Sequence, residues 1–296
     1  MSRWLNASLP WIAVVVLCAS GCAHRARGAA ASSERHEQPC PPPALLCEGF
    51  EDDALGQAPG APWRDETGSS GASVRVDAVR AFRGERAVHV LAPKGAAYRR
   101  GYFAIHQSPV FPAASAELYG RAMMWLDAAP IAALGKPDVH WTFVQGEGRS
   151  RDDTFNSLYR YGGQHQQGLG LMANFETTPP TRSDCWQHSA SRMPVQRWAC
   201  VEWHFAVANN QMEFWLDGNE LSDLRVVDRA SGPETGCLGN DLGGQWLAPP
   251  AFQSLYLGWE RYQEPENDQN LWIDEIVISK QRVGCPAPDS GKQPAP

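Results

Sequence analysis

The chain has 296 residues and a formal net charge of −7 at pH 7, and aromatic residues make up 10% of it. An acidic chain has no bulk electrostatic attraction for nucleic acid, so we expect no nucleic-acid partner. A polyanionic substrate would need a local basic cleft that overrides this charge.

The first 21 residues have the pattern of an export signal. Arg3 precedes the apolar run WIAVVVLC at 11–18, which is too short to span a bilayer in a mature protein. The small residues before Cys22 resemble a bacterial lipobox, with Ala19 where leucine is usual. We predict a lipoprotein signal peptide over 1–21 and lipidation of Cys22. An ordinary secretory signal is the alternative.

Two segments that flank the central region lack hydrophobic periodicity. Residues 22–44 are rich in Ala, Ser, Arg and Pro, which predicts a disordered tether, and 286–296 has the composition of a disordered tail. Between them, 45–285 has the size of one large β-sandwich with its own core. Since Ala23 is not the aspartate associated with inner-membrane retention, we expect a cell-envelope protein anchored in the outer membrane.

Six cysteines remain once the signal and the lipidated cysteine are set aside. An even count in an exported protein predicts disulfides, and no pair has the CxxC spacing of a zinc site. If the first and last strands are neighbours, Cys40 or Cys47 should pair with Cys285. The full connectivity stays open. The candidates are Cys40, Cys47, Cys185, Cys200, Cys237 and Cys285.

Strand-like runs separated by turn residues follow one another from LLCEGF at 45–50 to LWIDEIVIS at 271–279, without long helical periodicity. The stretch CVEWHFAVANNQMEFWLDG at 200–218 predicts a hairpin with Asn209-Asn210 at its tip and Asp217-Gly218 turning into the next segment. Many strands with Gly and Pro turns predict an all-β sandwich or jelly roll.

Five tryptophans fall inside the predicted strands. In a two-sheet sandwich an aromatic residue packs in the core or offers a stacking surface to a sugar, and for any single tryptophan we favour the core. They are Trp141, Trp203, Trp215, Trp259 and Trp272.

The last strand carries a carboxylate in an apolar run. Strict alternation in NLWIDEIVIS at 270–279 places Asp274 on the same face as Trp272, Ile276 and Ile278. A carboxylate in such surroundings is costly unless it is paired or binds an ion.

Six motifs, in this order, resemble the core domain of the secreted, cellulose-induced proteins of the Cip type and their bacterial relatives. The resemblance covers roughly 45–285. It implies a concanavalin A-like jelly roll of two antiparallel sheets, similar to glucuronan lyases and more distantly to alginate lyases. The motifs are CEGFED at 47–52, LYRYGGQ at 158–164, WACVEWHF at 198–205, FWLDG at 214–218, LGWERYQ at 257–263 and LWIDEIVIS at 271–279.

The resemblance also implies a structural calcium ion. In such jelly rolls an acid on the first strand and one on the last share the ion, which here implies Glu51 and Asp274, with carbonyls from the turn after DAVRAFRGER at 77–86. Calcium takes six to eight oxygen ligands and neutralises buried acids. The alternative is that Asp274 only accepts hydrogen bonds from loop amides.

Lyase action on a uronic acid polymer is a β-elimination. It needs a group that neutralises the substrate carboxylate, a base that removes the adjacent proton, and an acid for the leaving oxygen. We predict Arg160 as the neutralising group, helped by Gln164, with His140 as the base and Tyr262 or Tyr161 as the acid. The competing interpretation of each is an ordinary hydrogen-bonded strand residue.

Three further residues are candidates for substrate binding. His106 alternates with Phe103 and Ile105 as His140 does with Trp141, so both histidines should face away from the core. Gln145 and Glu260 complete the set.

Two departures limit what the resemblance implies. The Gln-x-His strand triplet of alginate and glucuronan lyases is absent, and so is the Glu-x-Asp-x-x-Glu motif of retaining glucanases. We expect a monomer whose only membrane contact is its lipid anchor, and three hypotheses remain. It is a polysaccharide lyase, a glycan-binding lipoprotein without activity, or a structural envelope lipoprotein without a ligand.

Overall fold

The computed structural model describes residues 40–106, 110–111, 116–136, 138–165, 169–179, 183–231, 235–238 and 247–286. They belong to one unit, His36–Pro296. In this part of the chain the regular elements are 17 strands and two 3₁₀ turns, Ala208–Asn210 and Ser222–Leu224. The strands are β1 (Ala44–Glu48), β2 (Arg64–Asp65), β3 (Ser73–Asp77), β4 (Ala87–Ala92), β5 (Arg99–Ile105), β6 (Glu117–Leu126), β7 (His140–Arg149), β8 (Asn156–His165), β9 (Leu169–Thr178), β10 (Ser183–His188), β11 (Trp198–Ala206), β12 (Gln211–Leu216), β13 (Asn219–Glu220), β14 (Val226–Val227), β15 (Thr235–Leu238), β16 (Ser254–Arg261) and β17 (Gln269–Ser279).

The strands form two antiparallel sheets. The first sheet has the order β13-β12-β11-β6-β17-β4-β3, with β1 beside the second half of β17 and β14 beside β12. The second sheet has the order β15-β10-β9-β8-β7-β16-β5-β2. This architecture confirms the predicted all-β sandwich.

The core lies between the two sheets and is rich in aromatic residues. Trp141, Trp203 and Trp259 are fully buried in it, and the rings of Trp141 and Trp259 stack with centroids 5.5 Å apart. The other two tryptophans lie on the outside of the first sheet. Trp272 packs there with Trp125, and Trp215 lies under the guanidinium of Arg282.

A β-bulge after Asp274 changes the expected face of Ile276 and Ile278. Glu275 has a positive φ of 50°, and the register with β6 shifts between Asp274 and Val277. The extra residue returns Ile276 and Ile278 to the core while Asp274 stays on the outer side with Trp272. The prediction that Asp274 shares a face with both isoleucines is therefore wrong, because strict alternation does not survive a bulge.

The hairpin predicted from the sequence is confirmed. Strands β11 and β12 pair in antiparallel register, and Asn209 and Asn210 at the tip both have positive φ values. Asp217 and Gly218 also have positive φ, and they turn the chain into β13. Asparagine, aspartate and glycine tolerate positive φ values, which explains why these residues predict the turns correctly.

All six candidate cysteines form disulfides, but one expected pairing is wrong. The pairs are Cys40–Cys47, Cys185–Cys237 and Cys200–Cys285. The first and last strands are neighbours, as supposed. After β17, however, the chain passes Arg121 on β6, which donates to the carbonyl of Gly284, and reaches Cys200 on β11. Cys40 instead closes a short loop onto Cys47.

Close contacts between strands explain the two glycines of LYRYGGQ. A Cβ atom on Gly162 would lie 1.8 Å from the backbone oxygen of Trp141, and one on Gly163 would lie 2.3 Å from the Trp141 ring. Strand β7 has a register shift against β8 between Thr142 and Val144. The glycine pair therefore lets β7 and β8 approach each other at the bulge.

Candidate functional site

The candidate site lies on the face of the second sheet that is turned away from the first, called here the outer face. Because Trp141, Tyr159 and Tyr161 point into the core, alternation directs His140 and Arg160 to the outer face. The same alternation brings the predicted Gln164 on β8 and Glu260 on β16 there. The register shift between Thr142 and Val144 on β7 brings Gln145 to the same face, opposite Arg160.

Tyr161 is a correction to the predicted site. It is fully buried between the sheets, its ring stacks on Phe205 with centroids 5.6 Å apart, and its hydroxyl donates to the carbonyl of Leu224. Adjacent residues of a strand face opposite sides, so Arg160 and Tyr161 cannot contact the same ligand. Tyr161 cannot be the acid of a reaction on the outer face.

Arg160 is held by acceptors from β7 and β9. Its Nε donates to Oε1 of Gln145 at 2.8 Å, and Nη1 donates to Oδ1 of Asn174 at 3.2 Å and to Oε2 of Glu176 at 2.7 Å. The side chain is only 12% exposed. Its charge is therefore already compensated by a carboxylate before any substrate arrives.

The electrostatic surroundings keep Arg160 charged. Burial acts to lower the pKa of the guanidinium, but Tyr262, Glu176 and Glu260 raise it by more, so the net shift is upward. Tyr262 and Glu260 are therefore close enough to Arg160 to affect its pKa.

Glu260 accepts hydrogen bonds from three tyrosines. Tyr98 donates to Oε1 at 2.7 Å, Tyr262 donates to Oε2 at 2.7 Å, and Tyr102 donates to Oε2 at 3.4 Å. Burial and the charge of Glu260 raise the pKa of Tyr98 to about 12. Burial also raises the pKa of Tyr262, although Arg160 lowers it. Both phenols keep their protons at neutral pH and act as donors.

Gln263 determines which nitrogen of His140 carries the proton. Its Oε1 accepts from the backbone N–H of His140 at 2.6 Å, which directs its Nε2 to the His140 Nδ1 at 2.9 Å. An amide NH₂ donates, so Nδ1 accepts and Nε2 is protonated. Burial lowers the pKa of the imidazole, with Asp138 opposing the shift. This neutral tautomer suits a hydrogen-bond donor better than the predicted base.

Gln164 is committed to neighbours other than Arg160. Its Nε2 donates to Oδ2 of Asp138, which directs Oε1 to Nε2 of His188 at 2.8 Å. The amide therefore orients His188, and the predicted help to Arg160 would require these two contacts to break.

The predicted binding residues occupy the centre and one end of the outer face. His106, just after β5, contacts Oε1 of Glu66 at 3.0 Å and meets the ring of Tyr256 edge-on at 5.3 Å. Gln145 lies between Arg160 and Glu147, to which its Nε2 donates at 3.4 Å.

Several residues of the outer face were missed by the sequence analysis. Strand β9 places Asn174 and Glu176 opposite the core residues Ala173 and Phe175, a signal that alternation could have provided. Other missed residues come from β5, from β10 and from the turn before β5. They contact Glu260 or Gln164 on a different strand, so a local sequence pattern does not predict them. They are Tyr98, Arg100, Tyr102 and His188.

The outer face is not the basic cleft that a polyanionic substrate would need. On its described strands the acids Glu147, Glu176, Asp184 and Glu260 equal in number the arginines Arg64, Arg100, Arg149 and Arg160, and Arg149 and Arg160 are each paired with a carboxylate. Burial raises the pKa of both Glu147 and Asp184.

The proposed calcium ligands flank one turn. Asp274 Oδ2 accepts from the backbone N–H groups of Phe82 at 2.7 Å and Arg83 at 3.1 Å. Glu51 Oε1 accepts from those of Glu85 and Arg86, both at 3.0 Å. The two acids thus flank the turn at 82–86, which lies within DAVRAFRGER rather than after it, and its amides rather than its carbonyls face them. Calcium binding stays a prediction.

The protonation of Asp274 provides a test of that prediction. This carboxyl is 0% exposed, and burial raises its pKa from 3.8 to about 7. Without calcium, its contribution to stability is full below about pH 4 and is lost as the pH rises through 7, a change of about 4 kcal/mol. Bound calcium would lower this pKa.

We therefore expect calcium to raise the Tm by several degrees at pH 8 and much less at pH 5, in calorimetry against EDTA. Asp274→Asn should abolish the calcium effect, and magnesium should not replace calcium. Equal Tm values with calcium and with EDTA at pH 8 would contradict calcium binding, and Asp274 would then only accept hydrogen bonds from the amides of the turn.

The predicted signal, the lipidation site Cys22 and the tether up to residue 39 lie outside the described residues. None of the helical segments that the structure describes has the length and hydropathy needed to cross a membrane.

Among the solved structures compared, one match supports the fold. The chain is similar to the cellulose-induced protein Cip1, with 20% identity and a TM-score of 0.57, covering 81% of this chain and 100% of that one. It is also similar to an endo-β-1,4-glucuronan lyase from the fungus Trichoderma reesei, with 10% identity and a TM-score of 0.48 over 80% and 96% of the two chains. The alginate lyase Aly36B follows, in a mutant form, with 13% identity and a TM-score of 0.45 over 82% and 99%.

No curated protein matches the chain. The family described as the Cip1-like core domain, of the polysaccharide lyase-like group, matches residues 56–281. That range includes the motifs LYRYGGQ, WACVEWHF and LGWERYQ and nearly all strands of both sheets. The chain therefore belongs to the Cip1-like core domain family.

Proposed function

We propose that this domain binds a uronic-acid-containing polysaccharide on its outer face and cleaves it by β-elimination. The observation that carries the proposal is the convergence of three kinds of group on Tyr262. The ring of His140 lies 6.1 Å from that of Tyr262, the Tyr262 hydroxyl donates to Glu260, and the charge of Arg160 acts on the phenol.

The protonation states support a proton relay through Tyr262. The Tyr262 oxygen accepts the proton beside the substrate carboxylate while its own proton passes to Glu260, 2.7 Å away. Tyr262 then gives a proton to the leaving oxygen and recovers one from Glu260, so both residues end as they began. His140 donates its Nε2–H to the sugar, and nearby cations stabilise the developing negative charge.

The alternative is a glycan-binding protein without activity on the same fold. One observation favours it: Arg160 is already paired with Glu176, so the best-placed guanidinium has less attraction to spare for a substrate. Export and a lipid anchor at Cys22 in the outer membrane remain part of either proposal, and so does a monomeric state.

The first experiment is to incubate the purified protein with a panel of uronic-acid-containing polymers. We expect a rise in ultraviolet absorbance from the unsaturated product of elimination, together with retention on at least one immobilised polymer. Retention without a rise in absorbance would establish the binding protein instead. Neither retention nor absorbance, with folding verified by circular dichroism, would refute both.

A further inference from the structure

Arg100 differs from Arg160 in how its charge is held. It lies on the outer face of β5, opposite Glu260 in the register with β16. Its guanidinium stacks over the rings of Tyr102 and Tyr256, 5.5 Å and 5.3 Å from their centroids. Its Nε is buried without a hydrogen-bond partner. Stacking on two aromatic rings, rather than a set of acceptors, thus positions this cation.

No carboxylate of the described residues forms an ion pair with Arg100, whereas Arg160 has Glu176 at 2.7 Å. Glu260, Tyr102 and Tyr98 nevertheless keep Arg100 charged, because together they outweigh the effect of burial and raise its pKa. A planar guanidinium without an ion pair is the group that a sugar carboxylate binds best.

The surrounding charges restrict how many carboxylates the outer face accepts. A chain bound at Arg100 would also meet Glu147, Glu176 and Glu260, and the neighbouring Arg160 is already paired with Glu176. A second and third uronate on contiguous sugars would meet these acids and be repelled. Neutral sugars would meet no such penalty.

Two tyrosines beside Arg100 provide a surface for neutral sugars. Tyr98 is 46% exposed and Tyr262 is 36% exposed, with ring centroids 6.3 Å apart. Their hydroxyls bind the two oxygens of the same Glu260 carboxylate, which holds both rings in place. Fixed aromatic rings with exposed surface pack well against the apolar faces of sugar rings.

We propose that the outer face selects polysaccharides in which single uronate residues are spaced along a neutral backbone. Arg100 binds the one carboxylate, and Tyr98 and Tyr262 pack against the neutral sugars next to it. This inference rests on the proposed function and specifies the polysaccharide class that its binding step accepts. Cleavage by β-elimination requires in addition a uronate within the backbone that carries the next sugar on its O4.

Three probes test the spacing: a xylan that carries glucuronate substituents, the same xylan after reduction of its carboxyl groups, and polygalacturonate as a contiguous polyuronate. In isothermal titration of the full protein, we expect the glucuronate-bearing xylan to bind at least tenfold more tightly than either of the others. Added salt should weaken this binding only modestly, because one ion pair is involved.

Arg100→Gln should bind the native and the reduced xylan equally, while Arg100→Lys keeps a charge and should keep part of the preference. Arg197→Gln is the matched control. Arg197 lies just before β11, is exposed and pairs with Asp217, so this variant also removes one positive charge. It should behave as the unmodified protein does.

The outcomes separate the two levels of the proposal. If the unmodified protein binds no polysaccharide in any panel, the proposed function fails. If it binds polygalacturonate more tightly than the glucuronate-bearing xylan, or if Arg100→Gln keeps the full preference, the spacing inference is overturned and the proposed function stands. The comparison of the three probes uses only the unmodified protein, so it tests the spacing inference even if Arg100→Gln does not fold.

Discussion

Replacing Tyr262 by phenylalanine should lower kcat for eliminative cleavage by a factor of about 10² to 10⁴, the usual range for a positioned acid–base group. The ring and its contact with His140 remain, so binding of the polymer should change little. Only the hydroxyl that donates to Glu260 is lost. The measurement is kcat and KM from product absorbance, with affinity determined separately by titration.

Tyr98→Phe is the matched control. Tyr98 donates to the other oxygen of Glu260 at the same 2.7 Å distance, but its ring lies beside Tyr262 rather than beside His140. We expect it to lower kcat less than tenfold. Equal losses in the two variants would mean that the hydroxyls only hold Glu260 in place, and Tyr262 would lose its role in proton transfer.

Replacing Gly162 by alanine should destabilise the domain by about 3 kcal/mol or more. The added Cβ would lie 1.8 Å from the Trp141 carbonyl oxygen and 2.7 Å from the Thr142 Cα, and backbone atoms of a central strand cannot move aside cheaply. Denaturant unfolding measures the loss. Because His140 and Thr142 lie on the strand that is pushed, affinity for the polymer should fall as well.

Gly49→Ala is the control for that variant. A Cβ there would meet its nearest side-chain atoms at 3.8 Å and 4.0 Å, which are ordinary contacts. Its stability should stay within about 1 kcal/mol of the unmodified protein. If Gly162→Ala were equally mild, β7 and β8 would be able to separate at the bulge without cost.

Alternation alone predicted much of the fold and part of the site. It placed His106 and His140 away from the core, and the turn residues Asn209 and Asn210 identified the hairpin. The same rule, applied consistently, would have excluded Tyr161, because Arg160 precedes it on one strand. It would also have found Asn174 and Glu176 on β9.

Other features depend on contacts between distant segments and could not be predicted locally. The bulge at Glu275 arises where β17 changes its register with β6, and it separates Ile276 and Ile278 from the face of Asp274. The tautomer of His140 follows from Gln263, which is 123 positions away. Cys285 reaches Cys200 only because the chain crosses β6 after its last strand. Each is a property of tertiary packing rather than of a sequence window.

The Cys40–Cys47 bridge has a mechanical consequence. A force that pulls on the chain before Cys40 is transmitted to β1 through the disulfide at Cys47. Cys47 lies inside the pairing of β1 with β17, whereas Ala44 is at the end of that pairing. The terminal pairs, Ala44 with Ser279 and Leu46 with Ile278, are then not unzipped one after another. The load is shared by neighbouring ladder bonds, so a domain held by its N-terminus in flowing liquid resists being peeled open from that end.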